Sequence, residues 1–161
     1  MIRPANISDA KLLLEIYNYY VEHSVVTFDD HPLSVQDFIE KLESIKAKYP
    51  FLVYEENNEI LGYAYGSRFR PKPAYASTVE TTVYVKNGVH GRQIGSKLYT
   101  KLLQLLKQQN FHIALGVITL PNSASVNLHK KFKFKKAAHL NQVGRKFGKW
   151  LDVGIFQLKL H

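Results

Sequence analysis

Residues 83 to 99, VYVKNGVHGRQIGSKLY, place Gly88, Gly91 and Gly95 between an alternating apolar strand and a helical repeat of leucines. A strand that turns at once into a helix commits the chain to layers, because the helix must pack back on the sheet. The start of that helix leaves its first N–H groups without intrahelical partners and carries about half a positive charge, so it attracts phosphate oxygens. Arg92 adds a cation that no physiological pH removes. These residues alone leave two readings open, a plain tight turn and an anion-binding turn. The stretch is neither a Walker loop, lacking GK[ST], nor a dinucleotide fingerprint, lacking G-x-G-x-x-G.

Upstream, Ser8 and Asp9 precede Leu13, Ile16, Tyr17 and Tyr20 at helical spacing, which predicts a helix from about Ser8 to His23. Ser34 followed by Asp37 resembles a capping box, and Phe38, Leu42 and Ile45 then share one helical face. The runs FLVYE and ILGYAYG, split by ENNE, read as a hairpin, and the proline-bearing SRFRPKPAY reads as an irregular loop. In STVETTVYV, Val79, Thr81, Val83 and Val85 point one way, and Thr78, Glu80, Thr82 and Tyr84 the other. Leu98, Leu102 and Leu105 mark a helix to about Gln109. A strand HIALGVI, a short helix within SASVNLHKKF and strands near FKKAAHL and DVGIFQLKL follow. The order ααβββ then αβαββ predicts an α/β (α+β) fold with a mixed sheet covered by helices. At 161 residues and 45% hydrophobic, one domain spanning 1–161 is expected.

The balance of 22 Lys and Arg against 13 Asp and Glu gives +9, so an anionic partner is expected, either nucleic acid or a phosphate-rich cofactor. HKKFKFKK, from His129 to Lys136, interleaves lysine with Phe132 and Phe134 as a single-strand RNA binder would. The preferred reading of that alternation is a half-buried strand with a solvated lysine face. The absence of cysteine removes disulfides, thiolate metal sites and a cysteine nucleophile. No histidine pair stands at ligand spacing with carboxylates, so no metal is expected. The first twenty residues hold no continuous apolar run. Neither a signal peptide nor a membrane span is expected, and the predicted location is the cytoplasm.

Taken together, IYNYYVEHSVVTF, KYPFLVYEENNEILGYAYGSRFRPKPAYASTVETTVYV, GSKLYTKLL, LPNSASVNLHKKFKF and GKWLDVGIFQ resemble the GNAT superfamily of N-acetyltransferases nearly end to end. Within it they resemble the phosphinothricin and methionine sulfoximine/sulfone acetyltransferases. The resemblance implies a mostly antiparallel twisted sheet flanked by helices, and an enzyme that uses acetyl-CoA. It lays the pyrophosphate on His90, Gly91, Arg92, Gln93, Ile94, Gly95 and Ser96, and the pantetheine arm along Val83, Tyr84 and Val85. Asn122 and Ser125 would touch the same arm, and a homodimer is implied. Two positions depart from the pattern. Where the superfamily's loop reads Q/R-x-x-G-x-G/A this chain has HGRQIG, with His90 leading and Gln93 in place of the first glycine. Lys133 stands where the family commonly keeps a glycine in LGF/Y.

Acetyl transfer needs a neutral amine, and an ordinary α-amine is only about a tenth neutral at pH 7, so a base must help. From its strand pattern Glu80 reads as a solvated carboxylate. The resemblance instead puts it on the family's catalytic glutamate, a base whose pKa must rise towards neutrality by burial. His129 reads as a structural histidine; the resemblance places it near the thioester sulfur, where it would protonate the departing thiolate. Arg70, Lys72 and Tyr75 read as a solvated loop, and by resemblance hold the carboxylate and anionic group of a small amino acid, with Phe28 closing the pocket. Alternatives are another amine, such as a protein N-terminus or an antibiotic, and, in a different class, a basic RNA-binding module.

Overall fold

The computed structural model describes residues 1–161. Its elements are β1 (Ile2–Pro4), α1 (Ala10–His23), α2 (Val35–Lys46), β2 (Phe51–Glu56), β3 (Glu59–Arg68), β4 (Thr78–Val85), α3 (Ile94–Gln108), β5 (Ile113–Leu120), α4 (Ser123–Lys131), β6 (Lys135–Lys146) and β7 (Lys149–Lys159). The strands form one sheet of order β1-β2-β3-β4-β5-β7-β6. Every neighbouring pair is antiparallel except β4 with β5. The mixed sheet flanked by helices that the residue pattern predicts is the one the chain forms. No helix is long and apolar enough to cross a membrane.

Strand β2 shows why the centre reads as unbroken apolar sequence. Phe51 and Val53 face α1 and α2 in a cluster with Leu13, Val21 and Phe38, whereas Leu52 and Tyr54 face α3 in a cluster with Val79, Leu98 and Leu102. A strand buried on both faces has no polar alternate to show. Burying each of these larger apolar side chains favours folding by about 1.5–3 kcal/mol. Helix α2 starts where expected, with Ser34 Oγ accepting from Asp37 N at 3.1 Å. The same cap satisfies one of the amides a helix start leaves open.

One strand was not expected, and two expectations are corrected. Strand β1 has only three residues and no period to detect; it exists because it pairs with β2, Ile2 opposite Tyr54 and Pro4 opposite Leu52. HKKFKFKK is not a strand. His129 to Lys131 end α4, Lys133 turns the chain at φ 68°, and β6 begins only at Lys135. Phe132 and Phe134 both pack on the α3 core, as the alternation predicts, but from a helix end and a turn rather than from a strand. On α3 the buried position is Leu106 rather than Leu105, because the inward stripe runs Leu98, Tyr99, Leu102, Leu106.

Candidate active site

Strands β4 and β5 pair through three residues only, Thr78 with Ile113, Val79 with Ala114 and Glu80 with Leu115. Beyond that, β4 stays paired to β3 as far as Val85 with Gly62, and β5 to β7 as far as Leu120 with Asp152. The two strands therefore part like a fork with Glu80 at its vertex, and backbone groups on the inner edges past it have no ladder partner across the gap. A cavity of about 450 Å³ opens in the fork, lined among others by Glu80, Tyr84, Phe28, Asn122, Ser125 and His129. Val83, Val85 and His90 line it too.

Glu80 is half-buried, and burial is what raises its carboxyl above the ordinary carboxylate range. Below it lies a buried polar chain. Thr81 Oγ1 stands 2.9 Å from Tyr99 Oη, and it donates to the Leu115 carbonyl at 3.0 Å. Tyr99 Oη stands 2.9 Å from Nε2 of His129, whose Nδ1 is 2.7 Å from the Ser125 carbonyl. A carbonyl only accepts, so Nδ1 carries the proton; in a neutral imidazole Nε2 is then the acceptor and Tyr99 the donor. Burial lowers the pKa of His129, opposed by its bond to Ser125, so the ring is neutral at pH 7. At rest the one proton of His129 sits on its own helix, and Nε2 is an acceptor. The ring fits because β5 has Gly116 beneath it, where an added Cβ would meet Nε2 at 2.3 Å.

At the other end of the fork, the first intrahelical bond of α3 runs from Lys97 N to Gln93 O, and no side chain caps the helix. The N–H groups of Ile94, Gly95 and Ser96 are thus free for a ligand. Gln93, in the glycine place of the loop, takes the left-handed conformation a glycine would, at φ 59°. Its two expected basic neighbours are engaged elsewhere. Arg92 pairs with Glu56 on β2, and His90 Nε2 is 3.2 Å from Tyr20 Oη of α1. The cation that does stand at the helix start was missed: Lys131 Nζ donates to Ser96 Oγ at 3.1 Å. Its signal lay in HKKFKFKK, hidden by reading that stretch as a strand.

Asn122 caps α4 by accepting from Ser125 N at 3.1 Å, leaving its amide NH₂ for the cavity. Phe28 is among the residues that line the cavity. Arg70, Lys72 and Tyr75 are not brought into it. They are exposed on the segment between β3 and β4, with the Arg70 guanidinium 5.1 Å from the Phe69 ring and 5.8 Å from that of Tyr75. No group of three or more His, Asp or Glu is placed to hold a metal ion.

Residues 2–155 match the family model described as an acetyltransferase (GNAT) domain. The chain is 41% identical to a phosphinothricin N-acetyltransferase of Streptomyces coelicolor, over 99% of this chain and 95% of that one. It is 32% identical to an L-methionine sulfoximine/L-methionine sulfone acetyltransferase of Pseudomonas aeruginosa, over 99% and 94%. The fold superposes with a TM-score of 0.96 on a GNAT superfamily phosphinothricin acetyltransferase of Sinorhizobium meliloti in complex with acetyl-CoA, at 29% identity over 99% and 87% of the two chains.

Proposed function

Because the chain belongs to the GNAT acetyltransferases and is an acetyl-CoA-dependent N-acetyltransferase, we propose that its acceptor is the α-amine of a small amino acid or analogue of the phosphinothricin or methionine sulfoximine/sulfone type. The whole of residues 1–161 would serve as one catalytic domain. The observation that carries the mechanism is the place of Glu80, half-buried at the vertex of the fork.

The free amides of Ile94, Gly95 and Ser96, with Lys131 beside them, suit a pyrophosphate. The loop residues His90, Gly91, Arg92 and Gln93 shape the approach to those amides. The open edge at Val83, Tyr84 and Val85 suits an amide-bearing arm, with Asn122 and Ser125 on its other side. Acetyl-CoA supplies a thioester carbonyl for a neutral nitrogen to attack.

Glu80 takes the proton that keeps the acceptor amine from being that nucleophile. Its raised pKa holds a proton well enough to remove one near neutral pH, and a positioned base contributes about 10²- to 10⁴-fold. The proton for the departing thiolate is assigned to His129 in its protonated form. The proton that the nitrogen sheds as it becomes an amide would charge Nε2, Tyr99 turning its own hydroxyl proton to Thr81; Nε2–H then leaves Tyr99 for the thiolate sulfur, and the ring returns to its neutral form. Arg70 and Lys72, with Tyr75, are assigned to the acceptor's carboxylate and anionic group, which requires their loop to close over the cavity. A homodimer is part of this reading, supported by Val143, Phe147 and Trp150 exposed on the β6–β7 hairpin.

Thiol release from acetyl-CoA with a panel of amines tests the acceptor class. Phosphinothricin, methionine sulfoximine or methionine sulfone should exceed a peptide N-terminus and an aminoglycoside by at least about 10²-fold in kcat/KM. Preference for the peptide or the aminoglycoside would overturn the assignment.

A further inference from the structure

Lys146 on β6 is 4% exposed, yet its ammonium meets backbone carbonyls rather than a carboxylate. Nζ donates to the Ser24 carbonyl at 2.6 Å and to the Thr27 carbonyl at 2.9 Å. Ser24 ends α1, so the first of these acceptors lies at the negative end of a helix dipole. A buried ammonium is unfavourable unless its protons are taken up, and here burial lowers its pKa while Asp29 and Asp30 of the same loop oppose that shift. A lysine held in this way is a tether between β6 and the loop after α1.

Two residues before it, on the same face of the strand, is Gly144. A Cβ there would fall 2.3 Å from Cε2 and 2.4 Å from Cζ of Phe28, so the ring of Phe28 lies directly on the Gly144 backbone. One strand face therefore receives the loop twice: Gly144 seats the aromatic ring, and Lys146 holds the carbonyls of residues 24 and 27 on its approach. From the other side, Tyr17 Oη bonds Thr27 Oγ1 at 2.9 Å. Phe28 itself is 43% exposed, with little burial of its own to fix it, and it borders the cavity that contains Glu80.

We propose that Lys146 is a positioning residue for the acceptor pocket: by tethering Ser24 and Thr27 to β6 it keeps Phe28 seated on Gly144, and so sets how tightly the amine substrate is enclosed. The proposal rests on Phe28 being a wall of that pocket, as read above. It separates Lys146 from the acetyl-CoA end of the fork, which it does not touch.

The test is steady-state kinetics with phosphinothricin as the amine, on Lys146→Met, Gly144→Ala, Phe28→Ala and the Phe28→Ala/Lys146→Met double variant. Lys146→Met and Gly144→Ala should each raise the amine KM about 10-fold, with kcat changed less than about 3-fold and acetyl-CoA affinity less than about 2-fold. In the Phe28→Ala background, Lys146→Met should add less than about 2-fold to the amine KM. Gly144→Ala leaves Lys146 in place and tests the seat of Phe28; if Lys146→Met does not fold, Lys146→Gln, which removes the charge but keeps a donor, carries the test of the tether. An amine KM raised by Phe28→Ala but unchanged by loss of the Lys146 ammonium overturns the tether alone. An amine KM unchanged by Phe28→Ala removes the pocket wall and the tether with it.

Discussion

The hydroxyl oxygen of Tyr99, on α3, stands 2.9 Å from Nε2 of His129, on α4, with both rings buried. This bond fixes which imidazole nitrogen accepts a proton, and it connects the histidine to the strand that carries Glu80 through Thr81. An imidazole so placed is a proton acceptor at rest and a donor only after it has been charged.

Tyr99→Phe removes the donor to Nε2 without emptying the core. The variant should lose about 1–3 kcal/mol of stability, the range for leaving a buried polar atom unpaired. It should also alter the same limb of the pH–rate profile that His129→Phe alters. Urea unfolding and thiol-release kinetics across pH give both readings; a Tyr99→Phe profile identical to wild type would detach this chain from catalysis.

His129 also makes stability depend on pH. Its folded pKa lies below the value of about 6.5 expected in the unfolded chain, so between the two values the unfolded state binds more protons. Stability is then full above about pH 6.5 and declines as pH falls through the folded value. Urea midpoints in that window should fall for the wild type and fall less for His129→Phe.

Gln93 and Lys133 both adopt left-handed backbone, at φ 59° and 68°. Glycine takes that conformation without steric penalty, although it loses more freedom on folding. Gln93→Gly and Lys133→Gly should each stabilise the fold by about 0.5–1 kcal/mol, measured as a rise of about 1–4 °C in Tm.

Gly116→Ala should act in the opposite direction. Its new methyl would collide with the His129 ring, and overpacking of this kind costs about 1–3 kcal/mol. A Tm equal to wild type would mean that His129 can leave its bed freely.

Periodicity made most of the fold legible, because α1, α2, α3 and the central strands each carry a burial pattern within one element. It failed where partners decide the structure. Strand β1 is too short to have a period, and the lysines and phenylalanines of HKKFKFKK alternate across a helix end and a turn that only the packing of Phe132 and Phe134 reveals. In the site, the strand pattern gave the side of β4 on which Glu80 lies, but nothing local announces that β5 departs just after it. The Tyr99–His129 and Lys146–Ser24 contacts join residues 30 and 122 positions apart, beyond any local signal. Arg92 was legible as a cation, but its pairing with Glu56, 36 positions away, was not.

The most direct measurement is kcat against pH for wild type and Glu80→Gln with saturating acetyl-CoA and phosphinothricin. A base must be ionised to work, and burial raises this one, so the wild-type rate should rise with pH through a pKa above the ordinary carboxylate range. Glu80→Gln should lose that limb and about 10²- to 10⁴-fold in kcat, keep its acetyl-CoA affinity, and melt no lower at pH 7, since a buried charge has been removed. Equal turnover by Glu80→Gln and wild type at neutral pH would contradict the account.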